Sequence, residues 1–164
     1  MTHNLEMNDI DDIHRYHLGF IIGPKNEAGD RVPGARYYVK NNFLKQWIYE
    51  EIPLNDVKQS TQLLARIMVA KIEDEARLVR IFETVPIMQN NPDWRCRTWV
   101  ANAMAAIPQD GRVVGTSQLS WEEIERVGRE FVGTKSQAGR YNDQASWNGP
   151  RPTLDLIQRR EVIG

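Results

Sequence analysis

The sequence predicts an α+β domain, an antiparallel sheet followed by helices. Aromatic and β-branched runs broken by Gly, Pro and Asn turns crowd the first half of the chain. From Asp74 onward, apolar residues recur at three- and four-residue spacings instead. Strands first and helices after is the α+β order, and 164 residues suit one compact domain better than two.

Met1 to about Asp12 reads as a flexible tail, acidic and polar, which leaves residues 13–164 as the domain. The run RYHLGFII, from Arg15 to Ile22, is closed by Gly23-Pro24 and reads as the first strand. A loop with Gly29, Pro33 and Gly34 follows, then a second strand, ARYYVKN. FLKQWIYEEI reads as a third, ended by Pro53. TQLLARIMVAKI reads as a buried strand because Ile67, Val69 and Ile72 are β-branched.

Asp74 to Val85 is the first helix, with Ala76, Leu78, Val79, Ile81, Phe82 and Val85 on its spacings and Pro86 as its stop. Asn91 is placed to cap a second helix, with Pro92 at its first position. Cys96, Trp99, Val100, Ala103, Met104 and Ile107 form its apolar face, and Gln109-Asp110-Gly111 closes it. Ser120-Trp121-Glu122-Glu123 reads as a capping box opening a third helix through Ile124, Val127 and Phe131. From about Lys135 the chain is rich in Gly, Asn and Pro and reads as a coil wrapping the domain.

Composition excludes several classes. Hydrophobic residues are 41%, charged residues 26% and net charge −1, without the basic stripe that phosphate-backbone binding requires. Nucleic acid is therefore not an expected partner. No apolar run reaches the length of a membrane span, and the start lacks a secretory pattern. One cysteine rules out an internal disulfide. The three histidines show no metal-ligand spacing with carboxylates, so neither metal nor cofactor is expected. A reducing, cytoplasmic setting fits best.

Cys96 is the candidate for chemistry. A thiol becomes nucleophilic when its pKa falls, and a helix start lowers it through unpaired amides and the positive dipole end. Arg95 and Arg97 flank it. A base is also needed, and His17 in the first strand is the candidate, sharing its face with Arg15, Gly19 and Ile21. Read alone, both residues also have plain structural roles. A single cysteine on an apolar helix face is more often a small buried hydrophobe, and Glu50 and Glu51 read as a solvated strand end.

Two segments carry a resemblance. YHLGFIIGPK resembles the histidine strand, and NPDWRCRTWVANAM the cysteine helix, of circularly permuted papain-like proteins of the lecithin-retinol-acyltransferase and PPPDE types. The order, histidine strand first, is the permuted one. Over most of its length the chain also resembles a set of small fungal proteins. They share Gly23-Pro24-Lys25, Arg36-Tyr37 with Lys40-Asn41, Trp47-Ile48-Tyr49-Glu50, and Cys96 to Val100.

The resemblance implies a permuted papain-like fold with Cys96 as nucleophile and His17 as general base. It implies Tyr38 in the orienting position, where a hydroxyl is a poorer acceptor than a carboxylate, and Gln89 as oxyanion donor beside the Cys96 amide. Trp99, Tyr37, Asn90 and Trp94 would line the substrate site.

Three functions follow as expectations. The first is a cysteine-dependent hydrolase or acyltransferase acting on an acyl or peptide substrate. The second is a fungal secondary-metabolism enzyme that binds a small molecule and cyclises or isomerises it by acid–base chemistry. The third is a non-catalytic interaction module, with a homodimer or partner interface over Trp47 and Tyr49.

Overall fold

The computed structural model describes residues 2–9, 16–59, 63–143 and 148–164. In chain order its elements are β1 (Thr2–Asp9), β2 (Tyr16–Gly23), β3 (Gly34–Asn41), β4 (Trp47–Leu54), β5 (Ala65–Ile72), α1 (Glu75–Thr84), α2 (Cys96–Asp110), β6 (Val114–Ser117), α3 (Trp121–Gln137), β7 (Thr153–Asp155) and β8 (Arg160–Ile163). The α+β expectation holds. Among the described residues the strands form one eight-stranded sheet, ordered β4-β3-β2-β1-β5-β7-β8, with β6 also on β5. Every pairing is antiparallel except β5 with β7.

Period-two alternation assigns the two faces. On β2, Leu18, Phe20 and Ile22 join the main core, and on β3 Tyr37 and Val39 do the same. Trp47 and Tyr49, opposite Asn41 and Val39, pack against that core from β4. The core lies under the helices, with α2 on β2 and β3 and α3 on β5. Trp99, Phe82 and Phe20 are completely buried there, with Phe20 stacked on Phe82 at 4.6 Å between ring centres. Burying each aromatic side chain contributes roughly 2–3 kcal/mol.

The opposite face carries Gly19, Ile21, Arg36, Tyr38 and Glu50 in register. A smaller cluster of Ile21, Val32, Val57 and Leu63 covers part of it. Farther along, the fully buried Arg66 of β5 makes a two-pronged ion pair with Glu27, 2.8 Å for each arm, and its Nε donates to Thr153 Oγ1 at 3.1 Å.

Several expectations are corrected. Thr2–Asp9, read as a tail, is β1, paired with β2 on one side and β5 on the other. Its polar composition hid a strand whose ladder comes from both neighbours. The remainder of the expected tail, the start of the first strand at Arg15, and Thr61-Gln62 lie outside the described residues. Phe43 to Gln46 belong to the β3–β4 turn, where Asn42 Oδ1 accepts from the amides of Leu44 and Gln46.

Pro53 lies inside β4 rather than ending it. The main-chain N–H and C=O of Trp47 both bind Gln89, so this edge strand turns those groups away from β3 at Trp47, and by alternation at Pro53. A proline there costs no ladder bond. The coil expected from Lys135 contains the end of α3 and the strands β7 and β8. Strands of three and four residues are too short to show an alternation in sequence.

The helix caps mostly follow the sequence. Asp74 accepts from the Arg77 amide, and Ser120 from the Glu123 amide. The Glu123 carboxylate binds Arg126. α2 begins later than expected. Asn91 Oδ1 accepts from the Asp93 amide in a local turn, and the cap is Arg95 in an extended conformation. Trp94 turns inward between them, 2% exposed and edge-on to Trp47 at 5.2 Å. That inward turn postpones the helix. Gly111, at φ 73°, closes it as the Asp110-Gly111 pair predicted.

Candidate functional site

Because α2 begins at Cys96, the thiol sits at the first helical position, better placed to feel the helix amides than the sequence suggested. Its surroundings reverse the advantage. Cys96 is 8% exposed and belongs to the main core. Burial pushes its thiol above the ordinary cysteine range, against the amides of Leu18, Arg97 and Cys96 itself and the charge of Arg95. Burial wins, and the resting form is the protonated thiol.

The Cys96 side chain lies under the helix layer, against the backbone of Leu18. His17 is the neighbour of Leu18 and therefore projects from the other face. The imidazole and the Leu18 side chain leave β2 on opposite faces, and the imidazole packs on Tyr38. The structure does not bring this expected pair together.

His17 meets Tyr38 instead. Their rings are edge to face, 5.4 Å between centres. Gly19 makes room for this, since a Cβ there would stand 2.8 Å from Tyr38 Cβ and 3.0 Å from Tyr37 O. The Tyr38 hydroxyl donates to the Glu50 carboxylate, directly across the β3–β4 ladder. Lys40 reaches the same carboxylate at 2.8 Å, and the Arg36 guanidinium lies 4.3 Å from the centre of the Tyr38 ring. The stacked cation is worth roughly 0.5–2 kcal/mol, depending on how dry the contact is.

These contacts set the charges. Burial first, then the cations Arg36 and Lys40, hold the His17 pKa down to about 4, so the ring is neutral near neutral pH. The hydrogen bond from Lys40, then that from Tyr38, keeps Glu50 ionised below the usual carboxylate range. Tyr38 is raised by burial and by its bond to Glu50. The result is a neutral base beside a tyrosine locked onto a carboxylate.

The other expected site residues lie elsewhere. Trp99 has no exposed surface and packs on Phe20, Tyr49 and Phe82, so it is a core residue and not a ligand wall. Tyr37 is 3% exposed on the helix side against Phe82, with its pKa raised to about 12, chiefly by burial. Trp94 is buried on Trp47. Gln89 engages the Trp47 backbone with both ends of its amide, accepting at 2.9 Å and donating at 2.7 Å, which ties it to the β4 edge. Asn90 takes a left-handed turn at φ 57°. The sequence reading missed Arg36, Lys40 and Glu50. Alternation on β3 could have found the first two beside Tyr38, and the hairpin register places Glu50 opposite.

An open groove of about 560 Å³ lies between the start of α2 and α3, lined by Arg95, Arg97, Glu125, Arg126 and Arg129 among others. Arg97 and Arg129 share Glu125, and Arg126 holds Glu123 and Glu130. It is a solvated ion-pair network, and Cys96 does not line it. Among the described residues no three His, Cys, Asp or Glu side chains gather as a metal set, and no helix is long and apolar enough to cross a membrane.

Fold and site together define an α+β domain that carries helices on one face of its sheet and a titratable polar cluster on the other. The family is shown by sequence: the chain belongs to the Family of unknown function (DUF6914), whose model matches residues 3–163. No curated protein and no solved structure matches it.

Proposed function

We propose that the chain binds a small organic molecule beside His17, on the sheet face away from the helices, and moves a proton on it with His17, without a covalent intermediate. The observation that carries this reading is the neutral imidazole of His17 beside Tyr38, on the face away from Cys96. A neutral imidazole is a free base. One held at about 4 is a weak base, so the transfer depends on stabilising the anion that the substrate becomes. Tyr38, fixed on Glu50, forms the rigid wall, and Lys40 puts a cation at the same edge to stabilise developing negative charge. Given the likeness to small fungal proteins, the substrate class is a secondary metabolite undergoing cyclisation or isomerisation.

The test is ligand-observed NMR against a panel of polyketide and phenolic metabolites. His17→Ala should abolish binding or turnover of any hit, and Cys96→Ser should retain most of it. The reverse pattern, with rapid alkylation of native Cys96, would sink this reading and favour the cysteine-dependent hydrolase or acyltransferase.

A further inference from the structure

The β3–β4 turn holds the most exposed apolar residues of the described chain. Phe43 is 93% exposed and Leu44 62%, with Met88 at 51% on the neighbouring loop. The turn is built to hold them out. Asn42 Oδ1 accepts from the amides of Leu44 and Gln46, the Lys45 amide donates to Asn42 O, and the Asn42 amide donates to Gln46 O. Lys45 takes the left-handed conformation, φ 59°, that closes the turn. Gln89 then fastens the Met88 loop to the strand end at Trp47. Exposed apolar side chains on a hydrogen-bonded scaffold are what an interaction surface requires, since little ordering entropy is lost on docking.

The charge pattern narrows the occupant. From Asn41 to Trp47, and from Pro86 to Pro92, the only charged side chain is Lys45, in a chain that is 26% charged. Asn and Gln supply the remaining polarity. A protruding tip of Phe and Leu, ringed by neutral amides and one cation and lacking acids, matches the interfacial zone of a lipid bilayer. Apolar side chains enter the acyl boundary there and amides stay at headgroup depth. We propose that this turn is a peripheral membrane-contact site, with Phe43 and Leu44 as the inserting pair.

The experiment is vesicle flotation of the full chain with phosphatidylcholine alone and with an equal mixture of phosphatidylcholine and phosphatidylserine. Binding should occur to both. The serine lipid should strengthen it only about fivefold, because one lysine contributes about 1 kcal/mol near an anionic surface, and added salt should weaken it little. Phe43→Ser with Leu44→Ser should lower partitioning by about tenfold or more. Both side chains are exposed, so the fold should be unchanged by circular dichroism. Phe43→Trp should strengthen binding. The proposal is overturned by absence of flotation, by flotation indifferent to the double substitution, or by a dimer in sedimentation that the same substitution dissolves. The last result would make a second copy the occupant.

Discussion

Gly19 and Tyr38 stand opposite each other on β2 and β3, and the absence of a side chain at residue 19 lets the tyrosine lie beside His17. A methyl group there would meet Tyr38 Cβ at 2.8 Å, where neither backbone can yield cheaply. Gly19→Ala should therefore cost about 1–3 kcal/mol in urea unfolding, as overpacked sites do. It should also loosen the Tyr38–Glu50 bond, which shows as a lowered tyrosine pKa in spectrophotometric titration.

His17 links stability to pH. Its folded pKa of about 4 lies below the ordinary 6.5, so between those values the unfolded chain binds the extra proton. The contribution is complete above about pH 6.5 and is lost as pH falls toward 4. After allowance for solvent screening it is on the order of 2 kcal/mol. Urea unfolding across that window should show stability falling with acid, and His17→Gln should flatten that part of the curve.

Cys96 is buried and protonated, which sets its reactivity. Iodoacetamide should label it at neutral pH at least about tenfold more slowly in the native protein than in denaturant, because thiolate fraction and access both fall. His17→Ala should leave the native rate unchanged. Fast native labelling slowed by that substitution would restore the covalent reading.

Glu27 neutralises a guanidinium with no exposed surface. Glu27→Ala should cost about 2–3 kcal/mol, the loss of charge-assisted hydrogen bonds from a buried guanidinium. Replacing Arg66 and Glu27 together by methionine should cost less than the single change. Denaturation midpoints of the two variants decide it.

Gln89 protects the exposed end of edge strand β4. Gln89→Ala should cost about 1–2 kcal/mol for two lost hydrogen bonds. Amide exchange at Trp47 should accelerate in the variant.

The sequence by itself determined the α+β class, the helices after Asp74, and the apolar set of α2, every member of which is buried. It also determined which residues of β2 and β3 share a face, because alternation is a property of the strand alone. That His17 and Gly19 share a face of β2 was legible; that Tyr38 fills the space beside them came from the β2–β3 register.

Tertiary structure decided which face each helix covers. The same alternation that sets His17 beside Gly19 separates His17 from Cys96 once α2 packs over Leu18 and Phe20, and no spacing within either segment carries that information. It also decided the strand nature of Thr2–Asp9 and of the C-terminal segment, whose ladders come from distant partners. The Glu50 contact waited on a register that only the paired hairpin sets. Local periodicity tells a side chain which neighbours in its own element it stands beside. Only the packed sheet tells it what lies on the other side.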